Sequence, residues 1–523
     1  MSFRNFVPDC QAPPEVQNLM DKSKKVLFSA IFLAAVCAAG VAVSFVLPKP
    51  QIEETVTEEI LPAQSGTVSA ELTAEKETED DGYRVGPHAA PVQVQANDKN
   101  RLLTDAEKAK YPQLTNIPSL YIDLDDGVSQ RRIEHGRFIG ATYTLVDGDY
   151  GIVEQDMEIG GRGNYSWNMS EKKTYALSFT DKANILGMGA AKRWVLIAGY
   201  NDRTLMRNYM TYTFSYMIGM EAAPQCRHID LYFNGKYYGN YLIVEKVQIH
   251  DQRVNIDPDI GGLFEIERTY RHGDHTWCID CPSGVHIMYK SPSVEDIGEA
   301  KRSEYLKKFK NIFIKADIAI SKGYDYYSER IDLDSFIDWY IVNEFVKNYD
   351  SGFTTSCYCW VDNDGIIHMG PVWDYDTCMA NQMATPTIGH PEGYHVAQEG
   401  TTWAAQWYVT LLKDDDFVRL LSERWTELVD SGMLQWFFDE WYVHGEVIAD
   451  SVEANMERWP GTLTYYDRDR FKVKTHEDEI RYVDHFMSAR YNWFCEQWYL
   501  GDEIPYRETD WYKWDRAGKY LSN

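Results

Sequence analysis

The segment Asn348-Tyr349-Asp350-Ser351-Gly352, the run Cys357–Met369, and then Gly370-Pro371-Val372-Trp373-Asp374-Tyr375-Asp376 decide how this chain reads. Immediately upstream, Ser335–Lys347 carries Phe336, Trp339, Tyr340, Val342, Phe345 and Val346 at helical spacing. The run 357–369 reads as a hairpin turning on Asn363–Gly365. A short hairpin between two acidic motifs can bring them to one face of a cleft. Two carboxylates, one accepting a proton and one holding a divalent cation, are what phosphoryl transfer asks of a protein. Metal-assisted hydrolysis and glycoside hydrolysis use similar parts, and a pair of Asx-turns at loop ends is the plain structural alternative.

Toward the N-terminus, short β-type runs follow one another: Ser119–Asp123, Thr142–Leu145, Thr174–Phe179 and Arg193–Ala198. A helical stretch, Leu205–Met217, comes next. Ile229–Phe233 and Tyr237–Val244 flank Asn234-Gly235, the strongest short-range hairpin signal. Beyond about Gly298 the pattern is mostly helical, with Phe417–Leu428 amphipathic. A mixed first half and a helical second half predict an α+β fold of two lobes with a cleft between them.

The run Val26–Leu47 has no charge and no proline. At about 1.5 Å per residue it spans roughly 33 Å, enough to cross a ~30 Å hydrocarbon core. Lys22, Lys24 and Lys25 precede it, and Glu53, Glu54, Glu58 and Glu59 follow. The charge bias predicts a transmembrane anchor at 26–47 with residues 1–25 in the cytoplasm and the remainder outside. The small residues Ala38-Ala39-Gly40 make a cleaved signal peptide the competing reading. Residues 48–100 read as a flexible linker, 101–500 as the folded body and 501–523 as a tail. With 52 Lys and Arg against 80 Asp and Glu, the net charge of −28 argues against nucleic acid as the main partner. An apolar content of 44% excludes a disordered chain.

Two further segments carry cations beside glycine or a helix start. Gly160-Gly161-Arg162-Gly163, followed by Lys172-Lys173, has the makings of an anion cradle or of an ordinary turn with surface lysines. In Asn201-Asp202-Arg203-Thr204, Asp202 stands where an N-cap would, and Arg207-Asn208 fall in the first helical turn. His272, His275, Cys278 and Cys281 have zinc-ligand types, but four ligands at every third residue rarely close a tetrahedron, so a Cys278–Cys281 disulfide is preferred. Trp403, Trp407, Trp425, Trp436 and Trp441 read as core in preference to a sugar-stacking platform.

Taken in order, these segments resemble the CotH kinase family, a group of atypical protein kinases named for a spore-coat protein. The carriers are Arg162-Gly163-Asn164 with Ser166-Trp167, Lys172-Lys173-Thr174-Tyr175, and Trp194 through Asn201-Asp202 to Arg207-Asn208. They continue with Leu231 to Glu245, Asn343-Glu344 with Asn348 and Asp350, and Trp373-Asp374-Tyr375-Asp376. The resemblance implies a kinase-like fold with a β-rich N-lobe and a helical C-lobe, moving the γ-phosphoryl of ATP to Ser or Thr of surface or secreted proteins. It implies Asp350 as catalytic base, Asp374 as the ligand of Mg²⁺ (or Mn²⁺), and Asp376 as a second ligand. Lys173, or else Lys172, would pair with phosphate; Arg162, Arg207 and Asn208 would bind phosphate or brace loops. Glu245 would orient a basic partner or serve a structural ion pair. Where kinases place an asparagine five residues after the base, this chain has Thr355 and then Ser356, which offers a hydroxyl as metal ligand. A kinase-like surface structural protein or adhesin without catalysis is the alternative.

Overall fold

The computed structural model describes residues 100–268, 278–381, 389–398, 405–463 and 475–511, all within one compact unit. The anchor segment 26–47, most of the linker, His272, His275 and Trp403 lie outside these residues. Among the described residues no helix is long and apolar enough to cross a membrane.

The first half is built of β1 (Arg101–Leu102), β2 (Ser119–Leu124), β3 (Phe138–Asp147), β4 (Tyr150–Arg162), β5 (Thr174–Asn184), β6 (Ala190–Ile197), β7 (Cys226–Phe233) and β8 (Lys236–Glu245). Their order is β1-β4-β3-β2-β7-β8-β6-β5, and β5 pairs back onto β4, so seven strands close into a barrel with β1 as an appendage. All its pairings are antiparallel except β2 with β7. The β7–β8 hairpin turns on Asn234 (φ 47°) and Gly235 (φ 72°), the two positive φ values that an Asn-Gly turn supplies. Alternate residues fill the interior, among them Ile159, Tyr175, Leu177, Trp194, Leu196, Tyr241 and Ile243.

A second sheet follows, in the order β10-β11-β9-β12-β13, formed by β9 (Gly262–Ile266), β10 (Cys278–Asp280), β11 (His286–Ser291), β12 (Cys357–Val361) and β13 (Ile367–Met369). The expected 357–369 hairpin is thus present, but it joins strands from before the long helical segment Val294–Ile320. The helices Arg207–Met217, Leu333–Val346, Asp415–Asp430, Met433–Val447 and His476–Trp498 share one apolar core. Trp407, Trp425 and Trp441 are fully buried within it, as core aromatics.

This architecture corrects the fold expectation. The strands form a closed barrel with helices mostly C-terminal, so the described residues are not a two-lobed kinase-like fold, and no helix among them could cross a membrane. The pairing that decides this, β4 with β5, runs from Met157↔Phe179 to Arg162↔Thr174. It consumes the glycine motif: Gly160 and Gly161 are strand residues, and a Cβ at Gly161 would fall 2.2 Å from the Trp167 ring. Glycine is required there for close packing of an indole, in place of an anion cradle.

Candidate active site

The helix Leu333–Val346 starts at Asp332, whose carboxylate accepts from the Ser335 N–H at 2.8 Å, and ends at Lys347 in the left-handed region. The chain then turns at Asn348, whose side-chain oxygen accepts from the Asp350 N–H at 3.4 Å. His395 lies behind this turn with Nε2 2.8 Å from the Asn348 carbonyl. Burial pushes its pKa down to about 4, so the neutral ring donates that bond. Asp350 is left half-buried on the near side.

The loop after β13 is held by the helix Arg207–Met217. Tyr212 Oη accepts from the Asp374 N–H at 3.1 Å and Asn208 Oδ1 accepts from the Tyr375 N–H at 2.8 Å. Arg207 reaches the Met379 carbonyl at 3.3 Å. Asp374 has φ 69°, and Phe353, Ser356, Met379 and Ala380 nearby also have positive φ. Non-glycine residues in this region cost about 1–3 kcal/mol each and cluster where a site needs a particular aim of side chains.

The carboxyls converge. Asp374 and Asp376 share a side-chain hydrogen bond. Burial first, then the charges of Asp374, Asp202 and Asp350, push Asp376 well above the carboxylate range. Asp376 therefore holds the proton and donates to Asp374. Asp374 is itself raised by burial, against the opposing pull of Arg162. Ser356 Oγ donates to Asp374 Oδ2 at 3.5 Å, and its N–H donates to Glu265 Oε1 at 2.9 Å. Glu265 pairs with Lys290 at 2.5 Å.

Asp350, Asp374, Asp376, Ser356 and Arg162 thus belong to one neighbourhood, with the Arg162 guanidinium 5.3 Å from the Trp373 ring centre. The other candidates stand elsewhere or behind. Arg207 is fully buried between Asp202 (2.6 Å) and Glu479 (2.8 Å), so its charge is spent on bracing. Asn208 positions the loop through the Tyr375 backbone. Lys172 is fully buried, its amine donating to the Ala198 and Asn240 carbonyls and to Asn455 Oδ1. Burial holds its pKa well below the lysine range. The Lys173 amine donates to the Trp167 carbonyl. Glu245 accepts from the Gln225 N–H at 2.9 Å and pairs with Arg253 at 3.3 Å, the structural ion pair that was one of its two readings. Cys281 is a buried free thiol, so no bond to Cys278 is made.

Sequence reasoning missed Glu265, Tyr212 and Asn381, whose amide donates to the Asp376 carbonyl. None stands in a recognisable motif; each is an isolated polar residue in or beside an apolar element.

Magnesium prefers oxygen ligands and is held by one or two carboxylates plus phosphates and water. Asp374, Asp376 and the Ser356 hydroxyl are such a donor set, each half-buried and so open on one side. Among the described residues no group of three or more Asp, Glu, His or Cys is arranged to hold a metal ion. The donors fit a metal that shares its ligands with phosphate.

An acidic pair on a strained loop, an opposed aspartate and a neighbouring arginine make this an acidic, carboxylate-rich site. The chain matches the family described as CotH kinase protein over residues 159–494, and it belongs to that family. No curated protein matches it.

Proposed function

We propose that this chain is a metal-dependent protein kinase that moves the γ-phosphoryl of ATP to a Ser or Thr hydroxyl of a protein. The reading is supported by the Asp374 and Asp376 carboxyls on one loop, with Asp374 at φ 69° and the loop held by Tyr212 and Asn208, while the charge of Asp350 acts on Asp376. Bound Mg²⁺ or Mn²⁺ would supply positive charge against the phosphate oxygens. Asp374 would give it the first carboxylate, Asp376 would give up its proton to become a second, and Ser356 would offer a hydroxyl. Asp350 sits on a turn fixed by Asn348 and His395, where its carboxylate orients an acceptor hydroxyl and takes its proton. Tyr212 and Asn208 keep this loop in place through backbone N–H groups, without using its carboxyls.

Incubation of the protein with γ-labelled ATP, Mg²⁺ or Mn²⁺ and Ser-rich peptides tests this. Label in the peptide or in the chain, lost in Asp374→Ala, is the expected result. Retained ATP without label transfer refutes catalysis and leaves the non-catalytic surface-protein reading.

A further inference from the structure

We propose that Arg162, Arg193 and Lys246 form a binding site for a condensed phosphate chain on the outer face of the barrel, beside Asp374. The inference rests on the kinase reading of the same site and names the groups that would take the donor's phosphates, in place of Lys172 and Lys173.

Strand alternation sets the placement. Ile159, Tyr175, Leu177, Trp194, Leu196 and Ile243 fill the barrel, so their neighbours point outward, and Val195, Leu242 and Val244 join the helical core on that side. Arg162, Ala176, Ser178, Arg193 and Lys246 share this outer parity. Arg162 pairs with Thr174 and Ser178 with Arg193, and the row between them holds Gly160, Ala176 and the core residue Val195, so that no long side chain of these strands separates the cations. Trp194 pairs with Glu245, so Arg193 and Lys246 come next to each other where β8 ends. Arg253 Nη1 bonds both of their carbonyls, at 2.9 Å and 3.3 Å, and fixes the two backbones together.

Like charges set opposite each other across a ladder are destabilising. Here they gather in a chain of net charge −28. Among the described residues the Arg162, Arg193 and Lys246 side chains make no direct ion pair or hydrogen bond, the charge of Arg162 acting on Asp374 only from a distance, whereas Arg253 and Lys290 are paired with Glu245 and Glu265. Lys246 keeps solvent access, yet the protein packed around its amine, and after it Arg193, Arg162, Arg253 and Lys290, lower its pKa to about 8. An anion with several adjacent charges relieves this repulsion. Its far end lies toward Arg162, the cation that also acts on Asp374.

The test is titration calorimetry of the full chain with inorganic tripolyphosphate and Mg²⁺ at fixed ionic strength. Lys246→Met and Arg193→Met are each expected to weaken binding about 10–100-fold, the value of a charge-assisted bond, and Lys246→Arg to restore most of it. Lys192→Met, whose amine donates to the Thr180 carbonyl, removes the same charge one residue away and is expected to change nothing. Equal loss in Lys192→Met, or unchanged binding in the other two, overturns the proposal. Tripolyphosphate bound through these cations without label transfer from ATP keeps the site and rejects the kinase reading. Label transfer with an unaltered KM for ATP in Lys246→Met does the reverse.

Discussion

The carboxyl of Asp376 donates a hydrogen bond to the carboxylate of Asp374, two residues back along a loop whose first aspartate has φ 69°. Two carboxylates this close share one proton because the second ionisation would place like charges side by side. Under the proposed function a divalent cation would take the place of that proton.

Metal binding should therefore release protons. Asp376 is raised above its unfolded pKa, so its stabilising contribution is complete below the ordinary carboxylate range and is lost as pH rises through the folded value. Above that point the metal-free protein carries two adjacent charges and binds metal more tightly. Calorimetry with Mn²⁺ in buffers of different ionisation heat is expected to show about one proton released to the buffer per metal bound and affinity rising with pH. Asp376→Asn should abolish the proton signal.

Asp350→Asn should lower kcat about 10²–10⁴-fold, the range of a lost general base, with little change in nucleotide affinity. The mutant keeps the N–H that Asn348 accepts. A comparable loss of ATP binding by thermal shift would place Asp350 in ligand binding instead.

Asn208 acts through the Tyr375 backbone. Asn208→Ala is expected to weaken Mn²⁺ binding about 10–100-fold, as loss of a group supporting metal ligands does elsewhere. Asn208→Asp, which keeps the accepting oxygen, should recover much of the affinity. Calorimetry on both variants measures it, and circular dichroism confirms that they fold.

Acid should destabilise the protein through its buried histidines. His228 lies between the Leu205 carbonyl (3.0 Å) and His444 (2.7 Å), and burial lowers its pKa from 6.5 to about 4. A depressed histidine favours the folded state above about pH 6.5, and that contribution, about 3 kcal/mol, is lost as pH falls toward 4. Thermal melts of the parent chain should steepen in pH dependence over this window, and His228→Gln should show a shallower dependence than the parent.

Lys172→Met should cost stability before it costs chemistry. Three oxygens lose their shared donor, and a buried unsatisfied acceptor costs about 1–3 kcal/mol. Urea unfolding should register this, while label transfer per folded molecule stays near the parent value.

Much of the local structure was legible because local chemistry determines it. Asn234-Gly235 forces its hairpin wherever it occurs, and the apolar spacing of Phe336, Trp339, Tyr340 and Phe345 makes a buried helix. The acidic motifs at Asp350 and Asp374 stood out for the same reason, each in a short polar break between apolar elements. Barrel closure was not legible. It depends on β4 meeting β5 and on the parallel pairing of β2 with β7, and neither leaves a mark on the strands themselves.

The amino-acid order alone settled family membership, the hairpins, the helical second half and the acidic pair, since turn residues and apolar periodicity act over a few positions. Only the tertiary structure decided which cation stands near the acidic pair. Lys172 and Arg162 look alike in a sequence, yet one amine is enclosed by carbonyls and the other side chain stands beside Asp374. A charge acts through its distance to other charges and through the water it has lost, and both are set by which strands come together.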